Sequence, residues 1–187
     1  MAIKLQHTDT FSTYFVIFTC AGWIPLIEMT NRYDLVYNWF AVLKSKYNAA
    51  VVAYVIMPNH VHAILHFHLK GFNLNRIISN GKRFMAYEII NRLEKASNTT
   101  MLEKQAAYLQ KGKRKKDNSI KCLKIHWMQR QSLPKKILLQ KVNYIHNNPV
   151  SGKWMLAKDF IAYERSSASL YEIQLTRHFR PLHYLNV

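Results

Sequence analysis

Two apolar runs joined by a proline-asparagine step constrain this chain more than any other feature. Val51 to Met57 is dense in β-branched side chains, Pro58-Asn59 is turn chemistry, and His60 to His68 resumes an apolar run. This pattern predicts an antiparallel hairpin. Upstream, Tyr14 to Cys20 is β-branched and aromatic and ends at Gly22 and Pro25, which predicts a buried strand. From Thr30, an expected N-cap, Tyr33, Tyr37, Phe40, Leu43 and Tyr47 recur at helical spacing and predict a helix over 30–48. A second helix is predicted over 74–95. Ile77, Ile78, Met85, Ile89 and Leu93 face inward there, with Arg76, Lys82, Arg83 and Arg92 outward. Ile120 to Met128 alternates weakly and predicts an edge strand. Pro134 suits an early helical position, and Leu138, Val142 and Ile145 form one apolar stripe of a helix over 134–148. Pro149 disfavours the α region at Asn148 and should stop that helix. Strand, helix, strand, strand, helix predicts an α+β fold of ferredoxin-like character, an antiparallel sheet with packed helices.

At 187 residues the chain has the length of one domain, taken as 1–172 with a C-terminal tail at 173–187, docked or loose. It is 49% hydrophobic, enough for a real core, yet no apolar run approaches the roughly 20 residues of a membrane span. The N-terminus lacks a signal-peptide layout, and Cys20 and Cys122 stand far apart, so a reduced cytoplasmic protein is expected. Lys and Arg number 27 against 10 Asp and Glu, a net charge of +17. Such a field attracts polyanions, and nucleic acid is the expected partner over acidic lipid or a merely solvated surface. Lys111, Lys113, Arg114, Lys115 and Lys116 concentrate that charge in one expected loop, read equally as a phosphate-attracting segment and as a solvated one.

Side chains alternate across a strand, so His60 and His62 share the face opposite Val61, Ala63, Leu65 and Phe67. Two imidazoles about 6–7 Å apart at Cα can converge on one cation, whereas His66 and His68 lie about 20 Å beyond. On spacing alone the pair reads equally well as two structural histidines. In Lys141-Val142-Asn143-Tyr144-Ile145-His146-Asn147-Asn148-Pro149, helical spacing puts Tyr144 and Asn148 on one face with Lys141 on the same side. Alone, this is more commonly a core tyrosine ahead of an Asn-Pro stop. Together the segments supply a phenol, two imidazoles, an amide and a cation. A phenol is a poor nucleophile at neutral pH, and an adjacent divalent ion answers that need by neutralising charge on a phosphate. Tyr108, Trp127 and Trp154 could stack on unpaired bases, although such aromatics are more often core.

Met57-Pro58-Asn59-His60-Val61-His62 resembles the His-hydrophobic-His (HUH) motif of the single-tyrosine transposases of bacterial insertion sequences. Tyr144-Ile145-His146-Asn147-Asn148-Pro149-Val150 resembles the tyrosine motif of their REP-associated branch. The strand around Tyr14 to Thr19 and the stretch Ser166 to Tyr171 are also similar, so the resemblance runs from about residue 10 to 172. It implies the HUH endonuclease fold, with His60, His62 and Asn148 as metal ligands and Tyr144 as nucleophile. The implied substrate is single-stranded DNA at or near a hairpin, cleaved and rejoined through a 5′-phosphotyrosine. The implied cofactor is Mg²⁺ or Mn²⁺, although imidazole pairs more usually suit zinc. The implied state is a monomer or homodimer in the bacterial cytoplasm, associated with the nucleoid. Lys141, Lys113, Arg114, Lys115 and Lys116 are expected DNA contacts. The competing expectation is a domesticated regulator of the same fold that binds DNA without cutting it. Relaxases place their tyrosine before the histidines. Replication initiators usually carry lysine three positions after the tyrosine, where this chain has Asn147. A histidine-triad hydrolase would need a third histidine where Ile64 stands.

Overall fold

A computed structural model describes residues 13–69, 71–103, 123–128 and 135–187, with the backbone alone for 123–128 and 135. The elements run β1 (Thr13–Cys20), the single turn α1 (Leu26–Met29), α2 (Tyr33–Tyr47), β2 (Ala49–Ile56), β3 (His60–Phe67), α3 (Leu74–Lys95), β4 (Leu123–Met128), α4 (Lys135–Asn147) and α5 (Ala168–Ile173). The four strands pair antiparallel in the order β2-β3-β1-β4. This is the ferredoxin-like arrangement, with β4 on the edge as its weak alternation implied.

Both faces of the sheet are covered. On one, Tyr14, Val16, Phe18, Val61, Ala63, Leu65 and Phe67 pack against Phe40 and Leu43 of α2 and Ile77, Met85 and Ile89 of α3. On the other, Phe15, Ala53, Val55, Met57 and Ile64 pack against Leu138, Val142 and Ile145 of α4. A β-bulge between Val51 and Ala53 shifts the β2 register by one residue. Val51, Tyr54 and Ile56 consequently share the first face although their numbering differs in parity.

Asn73 caps α3 by accepting from Arg76 N at 2.9 Å, so this helix has the bounds its periodicity predicts. Thr30 is a correction. It closes α1, its hydroxyl donating to Leu26 O at 2.6 Å, and α2 starts only at Tyr33 with no side-chain cap. Asn31, at φ 49°, turns the chain between the two helices. After α5 the chain returns along β2: Leu182 N donates to Val51 O at 2.8 Å, and the Tyr54 hydroxyl donates to Phe179 O at 3.1 Å.

Where α2 meets α3, Gly81 allows Trp39 to lie on the α3 backbone. A Cβ at Gly81 would stand 2.2 Å from Trp39 Nε1 and 2.5 Å from its Cδ1. Exposed helical glycines usually gain stability when replaced by alanine, but here the added methyl meets a buried ring. Gly81→Ala is therefore expected to lower stability by about 1–3 kcal/mol, seen as a lower urea midpoint at constant slope. An unchanged or higher midpoint would refute this account of the helix contact.

Candidate metal and tyrosine site

His60 and His62 project from β3 onto the face covered by α4, and both are buried, at 5% and 4% exposure. The turn that precedes them is tied on three sides. Met57 N donates to His60 O at 2.8 Å, Cys20 N to Asn59 O at 2.7 Å, and Ile27 N to Pro58 O at 3.1 Å. This clamp fixes where β3 starts and therefore where the two imidazoles lie.

The Asn59 side chain then sets the orientation of His60. Its Nδ2 donates to Trp23 O at 2.8 Å, which turns its Oδ1 toward His60 Nδ1, 2.6 Å away. Only a protonated Nδ1 satisfies that oxygen, so His60 Nε2 carries a bare lone pair. That lone pair faces Asn148 Oδ1 at 3.2 Å, an acceptor opposite an acceptor. Two donors held roughly 2.1 Å from a common cation at near right angles would lie roughly 3 Å apart. His62, its ring centroid 4.8 Å from that of His60, has a buried Nδ1 with no hydrogen-bond partner in the protein. Opposed acceptors and an orphaned imidazole nitrogen fit a bound cation, and all three donors are neutral. Among the described residues no group of three or more His, Cys, Asp or Glu side chains could hold a metal. The fit therefore depends on the amide of Asn148.

Tyr144 reaches the same place from α4. Its ring meets the His62 ring edge-on at 5.4 Å and the Phe15 ring at 6.2 Å, while half of the residue stays exposed to solvent. Lys141, one turn earlier, holds its Nζ 4.9 Å from the Phe15 ring centroid and 5.7 Å from that of Tyr144. The helical face expected for Lys141, Tyr144 and Asn148 thus opens toward the histidine pair. Trp154 closes another side, 5.9 Å from His60.

Burial lowers His60 to about 4, partly opposed by the Asn148 contact, and lowers His62 to about 3, with His60 and Lys141 adding to the effect. His146, on the inward side of α4, is lowered to about 4 by burial alone. Its Nε2 lies 2.8 Å from Ser167 Oγ, which also bonds the backbone of Tyr54, so α4 is tied to the edge of β2. These folded-state values lie below the ordinary imidazole value of about 6.5. As pH falls through about 6.5 the unfolded chain takes up protons that the folded chain refuses. Stability is therefore full above that value and declines toward pH 4. Between pH 7 and pH 5 the expected loss is about 2 kcal/mol per imidazole, measurable as a falling urea midpoint. An equal midpoint at both pH values would mean that the buried rings charge without penalty.

Of the other residues singled out in the sequence, Lys111, Lys113, Arg114, Lys115, Lys116 and Tyr108 lie outside the described residues, as does the side chain of Trp127. Sequence reasoning missed Asn59, Trp23, His146 and Ser167 as parts of the site. Asn59 entered only as turn chemistry and as a member of the Met57–His62 motif, and Trp23, between the strand-ending Gly22 and Pro25, was not singled out.

No family model and no curated protein matches the chain. Among solved structures, a REP-associated tyrosine transposase bound to a REP hairpin is similar over 97% of this chain and 93% of that one. The TM-score is 0.55 and the identity 15%. A likeness at that identity is one of fold, an antiparallel sheet with packed helices.

Proposed function

We propose that this chain is a transposase-type endonuclease that cleaves and rejoins single-stranded DNA beside a hairpin. The observation that carries the reading is the convergence of His60, His62 and Asn148 with the half-exposed Tyr144. The charge of +17 supports a polyanionic substrate. The similar solved protein is bound to a REP hairpin, which recommends a hairpin as the substrate to try.

His60, His62 and Asn148 would hold Mg²⁺ or Mn²⁺. When bound, such an ion would polarise a phosphate oxygen and offset the charge that develops in the transition state. Everything else falls to the chain's own groups. The Tyr144 oxygen attacks phosphorus, the bond from phosphorus to O3′ breaks, and the phenolic proton is lost as the 3′-hydroxyl is formed. The products are a 5′-phosphotyrosine and a free 3′-hydroxyl, so bond energy is conserved without a nucleotide cofactor. Attack by a second 3′-hydroxyl releases Tyr144 and rejoins the strand. Lys141 places a cation at the edge of this path. Because His60 and His62 resist protonation, both remain available as ligands at neutral pH.

The direct test is a denaturing gel after incubation with hairpin oligonucleotides bearing single-stranded flanks, in Mg²⁺ or Mn²⁺. A protein–DNA adduct is expected. Binding with no adduct under either ion would favour the non-cleaving regulator instead.

A further inference from the structure

Trp23 sits beside the histidine pair in a position that packing does not explain. It is 63% exposed, the bulk of its indole facing solvent, while its backbone takes φ 59° directly after Gly22 at φ 67°. A bulky residue in the left-handed region is costly and persists only where its surroundings enforce it. Here the enforcement comes from Asn59, whose amide donates to Trp23 O at 2.8 Å while its oxygen accepts from His60 Nδ1. The indole meets the His60 ring edge-on at 5.8 Å, and the Trp154 ring stands 5.9 Å from the same imidazole. Lys153 Nζ lies 5.6 Å from the Trp154 ring centroid, and Lys141 borders the Tyr144 side.

The geometry points to Trp23 as a stacking platform for an unpaired nucleobase next to the phosphate that Tyr144 attacks. This inference rests on the reading of the site given above. For a strand whose phosphate lies at His60 and Tyr144, the exposed indole beside His60 offers a π-face to a neighbouring base. Lys141 beside Tyr144 and Lys153 beside Trp154 supply cations for the strand's phosphates. Stacking tolerates any base, so Trp23 fixes the strand's position without selecting its sequence. Asn59 is the positioning residue. One amide sets both the tautomer of His60 and the pose of Trp23, coupling the seat of the base to the seat of the phosphate.

The test measures binding by fluorescence anisotropy, with a labelled hairpin carrying a single-stranded flank and with Tyr144→Phe as the non-cleaving background. Each flank nucleotide is replaced in turn by an abasic site. Trp23→Gly is expected to weaken binding roughly 5- to 150-fold on the intact flank, the measured range for one stacked base. The weakening should vanish when one particular nucleotide is abasic, and Trp23→Tyr should recover most of the affinity. Trp23→Gly should also leave Tm unchanged or raised, because glycine accepts the left-handed backbone freely. Undiminished affinity in Trp23→Gly, or equal weakening on every abasic substrate, would overturn the proposal. A lowered Tm with affinity that Trp23→Tyr does not recover would also overturn it, by showing a packing role. If wild-type protein forms no adduct while this base-dependent loss remains, the cleavage reading falls and the platform stands.

Discussion

Tyr144→Phe removes one oxygen and is expected to abolish the covalent adduct, lowering strand cleavage roughly 10³-fold or more, the usual scale for loss of a nucleophile. The substitution isolates chemistry from structure. Tyr144 is half exposed, and its ring contacts to His62 and Phe15 are made by carbon atoms that phenylalanine keeps. Stability should therefore stay within about 0.5 kcal/mol of wild type, and oligonucleotide affinity should be nearly unchanged. Tyr163 and Tyr171 cannot substitute. Their hydroxyls donate to backbone oxygens of Ile56 and Val52 at 2.8 Å, and burial pushes both further from ionisation. An adduct of wild-type yield in Tyr144→Phe would remove this residue from the nucleophile's role.

His60→Ala is expected to weaken Mn²⁺ binding roughly 10²-fold or more, with cleavage falling below detection at ordinary metal concentrations. The loss should exceed that of one ligand bond, because His60 joins two parts of the site. Its Nε2 faces Asn148 Oδ1, and its Nδ1 satisfies Asn59 Oδ1, which loses its donor in the variant. An orphaned buried acceptor costs about 1–3 kcal/mol, so a modest fall in Tm should accompany the loss of metal. His62→Ala should show the metal defect without that second cost, since its Nδ1 bonds to nothing in the protein. Isothermal titration with Mn²⁺, read beside the cleavage gel, separates the two effects. Full-rate cleavage by His60→Ala would end the metal assignment for this pair.

Features that follow a local period were legible. Alternation along 60–67 placed His60 and His62 opposite Val61, Ala63, Leu65 and Phe67, and the structure divides them between faces in that way. Helical spacing put Tyr144 and Asn148 on one side and Val142 and Ile145 on the other; in the structure Asn148 opens the 3-10 turn that directly follows α4. Helix capping was less secure. Asn73, which periodicity alone did not single out, caps α3, whereas Thr30, the expected cap of α2, closes the turn before it. The Thr30 hydroxyl can accept from a following N–H or donate to a preceding carbonyl, and the surrounding packing decides which.

The residue pattern by itself determined the antiparallel α+β layout, the shared face of the histidine pair and the composition of the tyrosine helix, since each follows from backbone geometry repeating every two or 3.6 residues. Tertiary structure decided the rest. It laid α4 over the histidine face rather than leaving that face to solvent, and so brought Asn148 to 3.2 Å from His60 across 88 positions of sequence. It also moved the β2 register through one bulged residue and bent Trp23 into a left-handed backbone so that Asn59 could fix both it and His60. These outcomes depend on which distant surfaces bury each other and on which buried polar atoms must find partners, and no repeating local pattern encodes either.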